Sequence, residues 1–306
     1  MTYEQIEAFL GIVNYGTISA AASNLFLSQS TISTRLAQLE EELETPLIIR
    51  GKGHRNVALT QSGSAFIPVA HQWAALYKDT YSIKDNSGIS TVRIASVDAV
   101  NNYTFVPLFS EHIEKHPEIR LDIRTHHSNE IHNLIWNRQA DIGFVFSQIS
   151  YPDIISTPVY RELMYLVFHR SSGYRDGISC SDLDRSHEVF LSWGPDYRRW
   201  HDAHFTPAEL PLITVNTGSM LQRYLTEPGR WAIAPMSVIR GAMRSNSDLD
   251  FCKLNESPDP RICYMLTNRI PPINLSEAID AFRTEMRDYI SRDSNICSFE
   301  DWMLQD

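Results

Sequence analysis

Six polar side chains crowd the start of one short predicted helix: Gln29, Ser30, Thr31, Ser33, Thr34 and Arg35, with Ser28 just before it. Each of these types can read the edge of a base pair. Glutamine pairs with adenine, arginine with guanine, and serine or threonine with either base or with phosphate. Ser28 is placed to cap the helix, because its hydroxyl accepts from the free amides of the next turn. The other positive charges among the first 60 residues, Arg50, Lys52 and Arg55, fall on a predicted hairpin a little further on. The six acidic residues (Glu4, Glu7, Glu40, Glu41, Glu42 and Glu44) fall on the preceding helix or at the far end of this one. Attraction to phosphate would therefore rest on where the charges sit, not on their sum. So few cations per copy imply weak binding by one copy and a need for two or more linked heads.

The surrounding pattern supplies elements to hold these side chains. Ile6, Phe9, Leu10 and Val13 mark a first helix ending near Tyr15-Gly16. Thr17 can cap a second helix through Ala20, Ala21 and Ala22 to Leu25, and the third carries Ile32, Leu36, Leu39 and Leu43 on one stripe before Pro46 stops it. Small Ala21 and Ala22 allow close helix approach, with Ile32 filling the gap. The result is a helix-turn-helix whose second member can lie in a major groove. Residues 47–50 and 56–59 read as two short strands of a wing, joined through Gly51-Lys52-Gly53. A long amphipathic helix is predicted over 61–84, with Thr60 as cap and a kink at Pro68, and Asp85-Asn86-Ser87-Gly88 reads as a linker.

From residue 90 onward strands and helices alternate. Strands are predicted at 92–95, 120–125 and 142–146 and helices over 104–115 and 129–137, which implies a largely parallel sheet. A second strand-rich stretch opens at 163–168, with further strands near 212–215, 231–234 and 262–267. A strong helix covers 276–290, and the pattern of 291–306 assigns it no element.

The chain has 306 residues, 43% hydrophobic and 21% charged, with a net charge of −10. That length suggests two or three domains. No apolar run nears the ~18 residues of a membrane span. Met1-Thr2-Tyr3-Glu4 lacks the pattern of a secretory signal, and four scattered cysteines do not make a disulfide scaffold, so a cytoplasmic chain with reduced thiols is expected. Enzyme motifs fail residue by residue. Pro46 and Gly53 break a phosphate loop around Gly51-Lys52, Asn56 replaces the third glycine of a dinucleotide fingerprint, and Leu191 stands where His187-Glu188 would need a zinc-binding histidine. No cofactor or metal is expected. His112 and His116, and the run His201-Asp202-Ala203-His204, lack an identifiable third ligand and are expected to be surface histidines.

The run Ser19-x-Ala21-Ala22-x-x-Leu25-x-Leu27-Ser28-Gln29-Ser30-x-Ile32-Ser33-x-x-Leu36-x-x-Leu39-Glu40 resembles the signature of LysR-type transcriptional regulators. Leu43-Glu44-x-Pro46-Leu47-Ile48-x-Arg50 and Leu59-Thr60-x-x-Gly63 continue the likeness. Ser30 stands where the family usually has proline, and Thr34 where it usually has a basic residue. The resemblance implies a cytoplasmic bacterial regulator that binds a promoter at an interrupted palindrome, as a homodimer or homotetramer paired through the long helix, with RNA polymerase as a further partner. It implies a winged helix-turn-helix over 1–60, a linker helix and hinge over 61–88, and an effector domain over 89–306. That domain would be a two-lobed α/β fold like type 2 periplasmic binding proteins, with lobe I at about 89–162 and 267–290 and lobe II at about 163–266.

Ligands of such sheets sit beyond the carboxyl ends of the strands. Those ends supply Ser96, Val97, Asp98, His127, Ser128, Phe146, Ser147, Ser192, Trp193 and Thr217 as candidate effector contacts. Ser128 and Thr217 double as candidate helix caps. Asp98 either meets a cationic or hydroxyl-bearing ligand or caps the helix after it. Three rival readings stay open: a solute-binding module with a protein-interaction domain, an α/β enzyme, and a regulator of the same family that senses oxidants through Cys252 and Cys263.

Overall fold

A computed structural model describes residues 1–49, 57–82, 89–151, 153–294 and 296–298. The head begins with α1 (Tyr3–Tyr15), α2 (Ile18–Asn24) and α3 (Gln29–Glu42). α2 and α3 start at their predicted caps, and Thr2 caps α1, for which the sequence reading gives no cap. The Thr2 and Thr17 hydroxyls accept from the amides of Gln5 and Ala20, and Ser28 Oγ accepts from Thr31 N at 3.0 Å. Gly16 ends α1 in the left-handed region at φ 74°, where a Cβ would be strained. Ile6, Phe9, Ala21, Ala22, Ile32, Leu36 and Leu39 close a dry core between the three helices. β1 (Ile48–Ile49) pairs antiparallel with β2 (Ala58–Leu59).

The long helix α4 (Gln61–Ser82) starts as its cap predicts: Thr60 Oγ1 accepts from Gly63 N at 2.9 Å and donates to the Pro46 carbonyl at 2.7 Å. Pro68 lies inside α4. Phe66 packs on Phe9 and Tyr77 stacks on Tyr3 at 4.6 Å, so α4 lies along α1. Gln72 also donates to the Trp136 carbonyl at 3.4 Å, which ties the helix to the next domain. Val69 and Leu76 remain exposed on it.

The first lobe is built on a six-stranded sheet. Its strands are β3 (Ser90–Ser96), β4 (Ile119–Thr125), β5 (Ile142–Val145), β6 (Ile154–Glu162), β12 (Arg261–Asn268) and β13 (Cys297–Ser298), in the order β13-β6-β12-β5-β3-β4. β3 runs parallel to β4 and β5, while β12 is antiparallel to both β5 and β6. The sheet is therefore mixed, not largely parallel. Helices α5 (Val106–Lys115), α6 (Ser128–Trp136) and α10 (Ser276–Arg292) cover it, over a core that includes Ile94, Phe105, Phe144 and Phe282. A π-helical turn, Val100–Thr104, precedes α5.

β6 passes through Leu163 straight into β7 (Met164–His169) of the second lobe. There β7 lies between β10 (Trp231–Pro235) and β11 (Leu249–Cys252). A parallel pair, β8 (Val189–Leu191) and β9 (Ile213–Val215), joins β10 through a Glu188–Trp231 bridge. Helices α7 (Pro195–His204), α8 (Gly218–Tyr224) and α9 (Met236–Ser245) complete this lobe. The return to the first lobe begins at Arg261 in β12, earlier than the boundary near 267 that the strand pattern suggested. Among the described residues no helix is long and apolar enough to cross a membrane.

The two lobes carry buried polar links that the sequence did not announce. His112 is fully buried, not a surface residue, and its Nδ1 lies 2.7 Å from Glu285 of α10; His116 Nε2 lies 3.0 Å from the other oxygen of the same carboxylate. Burial alone would raise Glu285, but the bonds to His112 and His116 and the charge of Lys115 outweigh it and hold the carboxyl below its usual value. A depressed carboxyl contributes stability above its unfolded value and loses it as pH falls through the folded one. The stability gap between wild type and Glu285→Gln is therefore expected to close on acidification below about pH 5. Thermal unfolding across that range checks this, and a constant gap would contradict it.

Candidate DNA interface and interlobe cleft

The N-terminal turn of α3 faces outward. Ser28, Gln29, Ser30, Ser33 and Thr34 are exposed, and Thr31 and Arg35 are half-buried. The buried stripe Ile32, Leu36 and Leu39 turns these polar positions away from the core. Gln29 Nε2 donates to Ser19 Oγ of α2 at 3.0 Å, and the Ser28 hydroxyl meets both Ser30 and Thr31 hydroxyls. Arg35 points back toward α1, with Nη1 3.9 Å from a Glu7 oxygen. The expected reading residues thus lie together on one surface, with Arg35 at its inner margin. Arg50, Lys52 and Arg55 of the wing lie outside the described residues.

Two features of this head escaped the sequence reading. Glu40, at the end of the signature run, is not simply a remote acid: its Oε1 accepts from Leu47 N at 2.7 Å and Ile48 N at 3.1 Å, which fixes the entry to β1. Phe26 occupies the turn between α2 and α3 at φ 56°, with 94% of its surface exposed.

Between the lobes lies a cleft of about 830 Å³. Val97, Asp98, His127, Ser128, Phe146, Ser147, Ser192, Trp193 and Thr217 all line it. The strand ends converge there because β3 and β5 are parallel and end side by side, while β8 and β9 aim their own ends at them from the other lobe. Ser96 does not reach it. That side chain is buried, with its hydroxyl turned to the Val97 carbonyl.

Of the two expected caps, Ser128 is corrected and Thr217 holds its position without the expected bond. Ser128 is the first residue of α6, and His127 holds the cap position, its amide donating to Glu130. Thr217 holds the cap position of α8, but its hydroxyl meets Ser219 and makes no cap bond. The Gly218 amide at that helix start donates instead to Asp98 Oδ2 across the cleft at 3.1 Å, while Asp98 Oδ1 accepts from Asn102. Asp98 therefore links the two lobes. Tyr103 of the π-helical turn adds to the link. It fills a slot where a Cβ on Gly241 would lie 2.3 Å from its ring and one on Gly218 would lie 3.1 Å away. Burial, then the Asp98 charge, pushes the Tyr103 hydroxyl up to about 12.

The cleft floor holds a residue that no strand-end argument found. Arg261, the first residue of β12, lies with its guanidinium carbon 3.6 Å from the centre of the Phe146 ring and 4.8 Å from that of Trp193. Trp193 is held in place by its own indole bond to the Ile233 carbonyl at 2.7 Å. A cation over aromatic rings is favourable, but a lone arginine after Asp259-Pro260 carries no sequence signal for it.

Both parts of the chain have known relatives. Residues 3–64 match the profile of the bacterial regulatory helix-turn-helix proteins of the lysR family, and residues 86–291 match that of the LysR substrate binding domain. The chain belongs to the LysR family. It is 25% identical over 196 residues to the HTH-type transcriptional regulator YofA of Bacillus velezensis, covering 63% of this chain and 66% of that protein. It is 28% identical over 174 residues to the HTH-type transcriptional regulator CzcR of Bacillus thuringiensis, covering 55% of each. The alignments thus span about two thirds or less of these curated relatives. In structure the chain is similar to full-length OxyR of Pseudomonas aeruginosa, with a TM-score of 0.69 at 15% identity over 94% of this chain and 95% of that one. It is also similar to full-length CbnR in complex with its target DNA, with a TM-score of 0.64 at 20% identity over 94% of this chain and 100% of that one. Identities this low speak for the fold.

Within this LysR-family chain, the two cysteines of the oxidant-sensing reading, Cys252 and Cys263, are both free. Cys252 ends β11 in the second lobe and Cys263 lies in β12 of the first, both buried and unpaired. Burial pushes the Cys252 thiol up to about 11 and Cys263 further still, the opposite of what a reactive thiolate needs. His201 is also no surface ligand: it is fully buried, with Nε2 2.7 Å from Glu188.

Proposed function

We propose that this LysR-family chain is a transcription regulator whose head reads double-stranded DNA and whose interlobe cleft takes a small-molecule effector. The observation that carries the first part is the exposed polar face at the start of α3, backed by a complete apolar core. Ser28, Gln29, Ser30, Thr31, Ser33, Thr34 and Arg35 are the residues offered to DNA, and Arg50, Lys52 and Arg55 of the wing are offered to the phosphates. We assign the head to 1–60, the linker to 61–88 and the effector domain to the remainder. Two copies pair through α4, where exposed Val69 and Leu76 would be covered. RNA polymerase is the partner through which such a regulator acts on transcription. Since Asp98 and Tyr103 bridge the lobes, an effector that binds one lobe arrangement better than another shifts the population and with it the spacing of the heads.

Band-shift titration on the DNA upstream of its own gene tests the reading. Arg35→Ala is expected to weaken specific binding by about 1–3 kcal/mol and to relax discrimination at one base pair. Lys52→Ala is expected to weaken all sequences alike and flatten the salt dependence by about one unit. If Arg35→Ala left specific binding unchanged, α3 would not be the reading helix.

A further inference from the structure

The polar groups around the cleft are unevenly satisfied. Its two wall carboxylates are engaged: Asp98 by Asn102 and the Gly218 amide, and Glu130 by the His127 amide and the His126 ring. Arg261 is not. Its Nε and Nη1 are shut off from solvent and have no hydrogen-bond partner among the described residues. The neighbouring counter-charge is Glu162, directly across from it in the β6–β12 register and fully buried. One Glu162 oxygen accepts from Ser237 N at 2.9 Å and the other is bare, so no direct bond joins the two charges.

A guanidinium is a donor-only group, and leaving its donors dry is costly. It stays protonated even where burial opposes the charge. Its guanidinium carbon lies over the Phe146 and Trp193 rings and the residue lines the cleft, so an anion entering there would have to displace the packing that now keeps Nε and Nη1 dry. The chemical match for a guanidinium edge is a planar anion with two acceptor oxygens, which binds in a bidentate manner. The aromatic walls beside it favour an apolar body attached to that anion.

We propose that Arg261 is the anion-binding residue of the interlobe cleft, and that the effector carries a carboxylate held against its guanidinium edge beside Phe146 and Trp193. The proposal rests on the cleft being the effector site. It also places recognition at the hinge: Arg261 opens the strand that returns from the second lobe, and Glu162 closes the strand that leaves the first. An anion bound there would act where the lobes turn on one another.

The test uses the full-length protein and three probes: acetate, phenylacetate, and phenylacetamide, the neutral isostere of the second. Thermal unfolding is followed against chloride at equal ionic strength. At about tenfold excess over its dissociation constant, phenylacetate is expected to raise Tm by about 2–4 °C. Acetate should give a smaller rise and phenylacetamide none. Arg261→Met should abolish both rises and Arg261→Lys should reduce them, since lysine keeps the charge but not the planar fork. Removing Arg261 strands Glu162, so if Arg261→Met does not fold, the Glu162→Gln/Arg261→Met pair carries the comparison. A wild type that ignores both acids, responds equally to phenylacetamide, or keeps its response without Arg261 overturns the proposal; an Arg261 served only by trapped water would behave in the first way. Band shifts on the same samples separate this from the regulator reading. Intact DNA binding without an acid response sinks the anion site alone, whereas an Arg261-dependent acid response without DNA binding sinks the regulator reading alone.

Discussion

Gly63→Ala is expected to destabilise the head by about 3 kcal/mol or more. Helix propensity alone predicts the opposite, because alanine in a helix interior is favoured over glycine by ~1 kcal/mol. Packing decides the sign. Gly63 lies in the first turn of α4, and a Cβ there would sit 2.0 Å from the Leu47 carbonyl oxygen and 2.9 Å from its carbon. That neighbour is backbone, held by the bond from Thr60 N to Leu47 O and by the Glu40 carboxylate on Leu47 N. It has no rotamer to yield. Either α4 lifts off the strand that begins the wing, or the wing moves, and both disturb the link between the reading helix and the helix proposed to pair two heads. Urea unfolding followed by circular dichroism, with band shifts on the same protein, reads both effects. A variant as stable as wild type would mean that α4 starts differently.

Glu188→Ala is expected to cost about 3–5 kcal/mol in the second lobe, because it strands two buried partners. Glu188 and His201 are both shut off from solvent, with Oε1 and Nε2 2.7 Å apart, and Arg185 Nε lies 3.4 Å from the other oxygen. The same arginine donates to the Thr206 carbonyl at 2.7 Å, so the group ties the segment before β8 to α7 and to the loop after it. Glu188→Gln keeps an acceptor for His201 and is expected to lose much less. Urea unfolding monitored by tryptophan emission is suited to this, since Trp200 and Trp231 lie in the surrounding core. Equal losses in Ala and Gln variants would place the energy in the charge; no loss in either would remove the cluster from the stability account of this lobe.

The effector domain shows how strand patterns mislead about connections. The pattern located β3, β4 and β5 and the helices between them, because short β-branched and apolar runs mark the strands and amphipathic stretches the helices. It did not reveal β6, a nine-residue strand whose run Ile154-Ile155-Ser156-Thr157-Pro158-Val159-Tyr160-Arg161-Glu162 lacks apolar alternation and carries a proline, nor α7, whose run Tyr197-Arg198-Arg199-Trp200-His201 has little apolar periodicity. α7 is held by aromatic packing around Trp200, His201 and Phe205 instead. Without β6 the mixed sheet and the early return at Arg261 were out of view.

By itself the sequence determined most of the head: the caps Thr17 and Ser28, the stripe Ile32-Leu36-Leu39 and the exposed polar turn of α3. These depend on local hydrogen bonds and a 3.6-residue period, both written in neighbouring residues. It also located nine of the residues that line the cleft, because strand ends follow from strand positions. Only the tertiary structure decided what those residues do to one another. Asp98 reaches a helix 120 residues away, Arg261 lies over Phe146 and Trp193, and His112 finds Glu285 173 residues along the chain. Such pairings are set by the crossing of β6 and β12 and by desolvation at the centre of the fold, and neither leaves a mark on spacing.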